Sequence, residues 1–283
     1  MSHIEFERLT HPDAKKDLKL LKKKAWPTRG QVRESAETCL QVCSACSNPP
    51  SDGSLKNCSR CRIVQYCSKA CQKSDWPLHK QSCTPYTAEA ISLELSKKLV
   101  ANNYLLNYIG VYAVISLGLL DNPAAALNTS LTINVTTGPA DPLAYMKEVL
   151  TRGEPDVPPG FQVMLQVASI NSYPLAEFPL PPMLGTLTRT REQLAAKGLG
   201  AWPVVMTLFH EEGVGYIAHP LVITPIALNQ ARERQPFTMK SALSGVVRIP
   251  LTEESIIDQL NNEILSDKGN RFHLRTKSKR VAV

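Results

Sequence analysis

Two kinds of hydrophobic spacing divide the chain. Between Asp13 and Lys24, leucines at 18, 20 and 21 sit among lysines, the pattern of a short basic helix that Pro27 and Gly30 end. From Thr84 onward, Ile91, Leu95, Leu99, Leu105 and Tyr108 follow helical spacing. The run from Tyr104 to Leu120 is almost continuously apolar, and Asp121-Asn122-Pro123 stops it. It is shorter than the roughly 20 residues that span a bilayer, and it carries Asn107 and Ser116. A buried helix, with no membrane association, is therefore expected.

Further on the period becomes two. Leu131, Ile133 and Val135 alternate with Thr132 and Asn134, and Phe161, Val163, Leu165 and Val167 repeat the alternation, so two strands are expected. Between them Asp141 precedes Pro142, which marks the start of a helix running to Thr151. The four prolines of residues 172–185 predict an extended loop, followed by a short helix from Arg189 to Lys197 that Gly198 ends. Pro203–Phe209 and Val214–Val222 read as a hairpin turning at His210-Glu211-Glu212-Gly213. A last helix, Glu253 to Leu265, has Thr252 in the capping position. The expected layout is a basic, partly helical segment (1–42), a small Cys/His finger (43–83), a larger α+β domain of helices with a mostly antiparallel sheet (84–274), and a loose basic tail (275–283).

Composition sharpens the picture of the first part. The chain has 283 residues, 43% of them hydrophobic, enough for a sizeable core. Its net charge of +7 belongs to residues 1–83, with 15 Lys/Arg against 8 Asp/Glu, while the remainder is balanced at 17 against 17. Seven thiolates and two zinc ions would together remove three of those charges, leaving about +4. That is a mild excess rather than the basic stripe of a nucleic-acid reader, and the spacing of DNA-reading fingers is absent. The lysine-rich helix is expected to be a solvated face, with a nuclear-localisation signal as the alternative.

All eight cysteines fall between Cys39 and Cys83. Such clustering, beside a histidine, points to metal rather than disulfides, and so to a reducing, intracellular setting, cytoplasmic or nuclear. The ligand string is Cys43-x2-Cys46, Cys58-x2-Cys61, Cys67-x3-Cys71 and His79-x3-Cys83. Two intervening residues let a tight knuckle present both sulfurs to one tetrahedral ion, and three place ligands one helical turn apart. Eight ligands make two closed sites, which are structural because no position is left for water. Spacing does not say which pairs share an ion. Cys39 lies outside the string.

The run from Cys67 to Cys83 (CSKACQKSDWPLHKQSC), with Tyr66 ahead of it, closely resembles the MYND-type zinc finger. The resemblance covers about 41 residues and implies an interleaved pairing: Cys43, Cys46, Cys67 and Cys71 on one zinc, and Cys58, Cys61, His79 and Cys83 on the other. It also implies a shallow groove for proline-containing peptides at Ser59, Gln72 and Trp76. An indole offers prolines a flat apolar surface, and an amide can bond a peptide carbonyl. The finger followed by an apolar helical segment, Val111 to Leu120, is similar to the layout of many fungal proteins.

These readings favour a zinc-dependent adaptor or scaffold that binds a protein or proline-rich peptide. No catalytic residue is identified, and the chain is expected not to be an enzyme. Methyltransferases that enclose such a finger carry an Asn-His-Ser-Cys-like strand and a later cysteine cluster, whereas no cysteine follows Cys83 and 42 residues precede the finger. His210 and His219 lack the spacing of a metalloprotease helix and read as turn and strand-end residues. Two alternatives are a nucleic-acid-associated transcriptional regulator and an unrecognised enzyme in the C-terminal domain.

Overall fold

The computed structural model describes residues 14–23, 26–28, 30–32, 43, 45–46, 55–60, 65–83, 90–153, 160–177, 181–211, 215–241 and 245–278. The first helix, α1 (Ala14–Lys23), is the basic one anticipated from the leucine spacing. The Cys/His region contributes a two-residue hairpin, β1 (Lys56–Asn57) with β2 (Gln65–Tyr66), and helix α2 (Lys69–Ser82). The apolar stretch that follows is two helices, α3 (Ala90–Leu99) and α4 (Asn103–Ser116), where one was expected. Asn102 makes the break: its side chain accepts from the Leu105 N–H at 3.1 Å and starts α4 anew.

A four-residue helix, α5 (Ala125–Asn128), leads into β3 (Thr129–Pro139). Helix α6 (Pro142–Arg152) begins as expected, with Asp141 accepting from the Ala144 N–H at 3.0 Å, and closes at Gly153 with φ 73°. Then come β4 (Gln162–Pro174), α7 (Pro181–Ala196), β5 (Val204–Glu211) and β6 (Gly215–Val222). Helix α8 (Pro225–Glu233) precedes a separate hairpin, β7 (Phe237–Ser241) with β8 (Gly245–Ile249). Helix α9 (Glu253–Ser266), capped by Thr252 and Ser255 reciprocally, and strand β9 (Arg275–Lys277) complete the described chain.

The main sheet has the order β6-β5-β3-β4-β9. Three of its pairings are antiparallel, and β3 with β5 is parallel. The return through α7 makes that parallel neighbour possible. On one face Leu131, Ile133, Val135, Val205 and Phe209 join the core formed with α3, α4, α8 and α9. On the other face Val204, Met206 and Leu208 pack against Leu187 and Leu194 of α7. Strand β5 is thus apolar on both sides, which explains a hydrophobic run from Val204 to Phe209 that only Thr207 interrupts. Helix α4 is buried from Tyr104 through Val114 between α8, α9 and the sheet. Its Gly110 lets α8 approach, since a Cβ there would sit 3.2 Å from that of Ala227. Among the described residues no helix is long and apolar enough to cross a membrane.

Three expectations are corrected. The proline-rich loop assigned to residues 172–185 is instead the end of β4, a turn of 3-10 helix (Leu175–Glu177) and, from Pro181, the start of α7, with residues 178–180 outside the described set. Prolines are tolerated in a helix's first turn because its N–H groups have no intrahelical acceptor there. Second, the tail from Arg275 is not loose at its start: Arg275–Lys277 pair with Gln162–Met164. The Arg275 guanidinium turns inward and donates to the Leu265 carbonyl at 2.6 Å, satisfying the end of α9. Third, α1 is more than a solvated face. Its Leu21 is buried in the main core, and Lys22 pairs with Glu263 at 2.9 Å while lying 5.4 Å over the Tyr104 ring.

Burial predicts an asymmetry between two leucines. Leu131→Ala, which empties a fully buried site on β3, should cost about 2–5 kcal/mol in denaturant unfolding. Leu143→Ala on α6, where the side chain is 80% exposed, should change stability by less than about 0.5 kcal/mol.

Candidate metal centre

The finger is built around helix α2. Ser68 starts it by accepting from the Cys71 N–H at 3.1 Å, so Cys67 stands just ahead of the helix and Cys71 in its first turn. His79 lies near its end and Cys83 is the residue that terminates it. Both three-residue spacings therefore belong to one helix, and each end of it delivers two ligands. Tyr66, buried at the base of the hairpin, donates to Asp75 at 2.6 Å and ties β2 to the middle of α2. Gln65 reaches across the hairpin to Asn57 at 2.8 Å.

Two groups of ligand atoms result. Cys43, Cys46, Cys67 and Cys71 form one, and Cys58, His79 and Cys83 the other, with the atoms in each group lying within 4.8 Å of one another. The grouping is interleaved: the knuckle at Cys43 and Cys46 joins the N-terminal end of α2, and Cys58 joins its C-terminal end. Cys61, the fourth ligand expected for the second group, and Cys39 lie outside the described residues.

The spacing tests the metal. Sulfurs on a tetrahedral zinc with bonds of about 2.3 Å stand about 3.8 Å apart. The observed separations are 3.7 Å for Cys46–Cys67, 3.5 Å for Cys67–Cys71 and 3.8 Å for Cys58–Cys83. A disulfide would need about 2.05 Å. The residues fit two structural zinc ions, one held by four cysteines and one by a Cys/His set.

The thiols of the first group hold their protons unequally. Burial raises the Cys43 pKa, but backbone N–H groups of Cys67, Cys46 and Ala45 outweigh it and bring the thiol down to about 6. Cys67, sharing hydrogen bonds with Cys71 and Cys43, is pushed up to about 12. A cation entering the group takes the place of the remaining protons. At the second group, His79 is buried, with the rings of Tyr66 and Trp76 edge-on at 6.3 and 5.8 Å.

Trp76 keeps one side free. It is 40% exposed and, with Ser59 and Gln72, lines a shallow concavity of about 340 Å³ that Cys58, Arg60, Lys69 and Lys73 complete. The three groove residues named from the sequence therefore share one surface. The indole packs on the His79 ring and faces the concavity as well.

His210 and His219 are not at a turn and a strand end as expected. His210 lies within β5, with Nδ1 3.2 Å from Asn134 Oδ1, and His219 lies within β6 opposite Thr207.

Comparison with known proteins agrees with the geometry. Residues 43–83 match the family model described as MYND finger. "Dauer abnormal formation protein 25" of Caenorhabditis elegans is 48% identical over 44 residues, 16% of this chain and 10% of that protein. "SET domain and MYND-type zinc finger protein 6" of Schizosaccharomyces pombe is 44% identical over 43 residues, 15% of this chain and 8% of the relative. "Histone-lysine N-methyltransferase ASHR1" of Arabidopsis thaliana is 43% identical over 44 residues, 16% and 9% respectively. The chain thus spans about a tenth of the length of these curated relatives. No solved structure matches.

These relatives correct one expectation. The chain was expected not to be an enzyme, with a lysine methyltransferase disfavoured, yet the finger is shared with proteins named as lysine methyltransferases. The likeness lies in the finger region, so it bears on the proteins in which such a finger occurs and not on the fold of residues 90–278. A closed zinc pair is compatible with catalysis elsewhere in the same chain, so the absence of recognised catalytic motifs did not justify the exclusion. A MYND finger is itself a protein-interaction domain.

Elemental analysis of the purified protein should give two zinc ions per chain. Cys67→Ala and Cys58→Ala, one from each group, should each retain about one.

Proposed function

We propose that the MYND finger at residues 43–83 recruits a protein partner by binding a proline-containing segment, and that the chain works as an adaptor with residues 84–274 as its second unit. The observation that carries this reading is the concavity itself, in which an exposed indole, an amide and a hydroxyl converge on a surface held rigid by the ligand helix. Proline rings stack on the flat apolar face of Trp76, at little entropic cost because the segment is already stiff. Gln72 can bond a carbonyl that proline leaves without an N–H neighbour. Arg60, Lys69 and Lys73 border the same depression, so an acidic residue beside the prolines adds charge-assisted contacts.

The two zinc ions take no part in binding the segment. They fix the angle between the hairpin and α2, and hence the distance between Ser59 and Trp76. Loss of metal would remove the groove without removing a single groove residue.

An array of proline-containing peptides, half with acidic neighbours, tests the proposal on the full zinc-loaded chain. The acidic members should bind better at low salt than at high salt. Trp76→Ala should weaken the best binder about tenfold or more, and Gln72→Ala about threefold to tenfold, with both variants still holding two zinc ions. Equal binding by the native chain and Trp76→Ala would end this reading.

A further inference from the structure

The depression beside Trp76 carries more positive charge than a proline segment by itself can use. Its described lining holds Arg60, Lys69 and Lys73 and no acidic side chain. All three cations are exposed, and among the described residues none has a carboxylate partner. Lys69 also opens α2, whose first turn contains no acid, so the positive end of the helix dipole adds to the same region.

Helical spacing fixes where these charges stand. Gln72, Lys73 and Trp76 follow Lys69 by three, four and seven positions, so the four share one face of α2. Cys71 lies about 200° around the helix from Lys69, which puts the first zinc site on the far side. The second site, with three thiolates and a histidine around a zinc, would carry a charge of about −1, less than the three cations supply. At about 1.5 Å per residue, the midpoint of Lys69 and Lys73 is about 7.5 Å along α2 from Trp76. A proline-rich segment lying along this face advances about 3.1 Å per residue, so it covers that distance in about two to three residues. A carboxylate would bring one negative charge there. A phosphate monoester brings nearly two, with three strong acceptor oxygens for three cationic side chains.

We infer that the segment bound by this groove carries a phosphorylated serine or threonine about two to three residues from the proline that stacks on Trp76, its phosphate held by Arg60, Lys69 and Lys73. Given the proline-binding role proposed above, on which this rests, recruitment is then switched on by phosphorylation of the partner.

Peptides of one sequence test this on the full zinc-loaded chain by calorimetry. Each has a Pro-Pro pair and a serine, phosphoserine or glutamate two or three residues to either side of it. At one of these spacings phosphoserine should bind about tenfold more tightly than serine, and glutamate about threefold, with the phosphoserine advantage shrinking as salt is raised. Lys69→Gln combined with Lys73→Gln should cut the phosphoserine-to-serine ratio to below about threefold with two zinc ions still bound, whereas Lys69→Arg with Lys73→Arg should keep it. Replacing the Pro-Pro pair by alanines should weaken the phosphopeptide about tenfold, and a trinucleotide should bind no better than that alanine peptide. Equal affinity for the serine and phosphoserine peptides, or a ratio unchanged by the two glutamines, would overturn the phosphate assignment and leave the proline groove in place. A phosphopeptide that binds as well with alanines, or a trinucleotide that binds as tightly as the phosphopeptide, would overturn it too, by showing phosphate held without proline. Absence of binding by every peptide would overturn both readings.

Discussion

Among the described residues between Cys43 and Cys83 the buried side chains are Cys43, Cys58, Tyr66, His79 and Cys83, nearly all of them ligands. Such a small module has too little apolar surface to offset the entropy of ordering its chain. Metal–thiolate bonding has to supply that energy, on the order of 10 kcal/mol or more for each site. The interleaving then does geometric work. Each ion fastens one end of α2 to a different knuckle, so the helix cannot tilt against the hairpin. Tyr66 and Asp75 add a third tie at the middle.

The remainder of the described chain follows a different logic. Helix α4 is apolar around almost its whole circumference because helices and sheet enclose it. The edges of the sheet are met by side chains: Asn261 of α9 accepts from the Val167 N–H and donates to its carbonyl, both at 2.9 Å, beyond the stretch where β9 pairs with β4. This is a core held by burial, with polar groups paired one by one. Among the described residues, four buried side-chain atoms, on Asn107, Thr132, His219 and Arg275, have no hydrogen-bond partner and stand out against that background.

What the sequence disclosed, and what it hid, follows from the range of the forces involved. Ligand spacing, the Asp141 and Thr252 caps and the alternation in β3 and β4 are local rules written in a few consecutive residues. The parallel pairing of β3 with β5 depends on residues some 75 positions apart, and no local pattern announces it. Pro181 and Pro182 suggested a loop because the same residue type suits a helix start and a turn, and only the chain beyond decides between them. Arg275 looked like part of a solvated tail, since its carbonyl partners on α9 are settled by tertiary packing. The interleaving of the ligands came from resemblance, because sequential and crossed pairings share identical spacing. Ser59, Gln72 and Trp76 were named in the same way, and the bend of the hairpin against α2 sets them on one surface.

The central claim is that metal builds the finger while burial builds the rest. Hydrogen exchange on the whole chain, with zinc bound and after chelation, measures both parts in one sample. The account predicts that amides of residues 65–83 lose their protection when zinc is removed, while those of β3, β4 and α4 keep theirs. Persistent protection of residues 65–83 without metal, or its loss across β3 and β4 together with the finger, would contradict it.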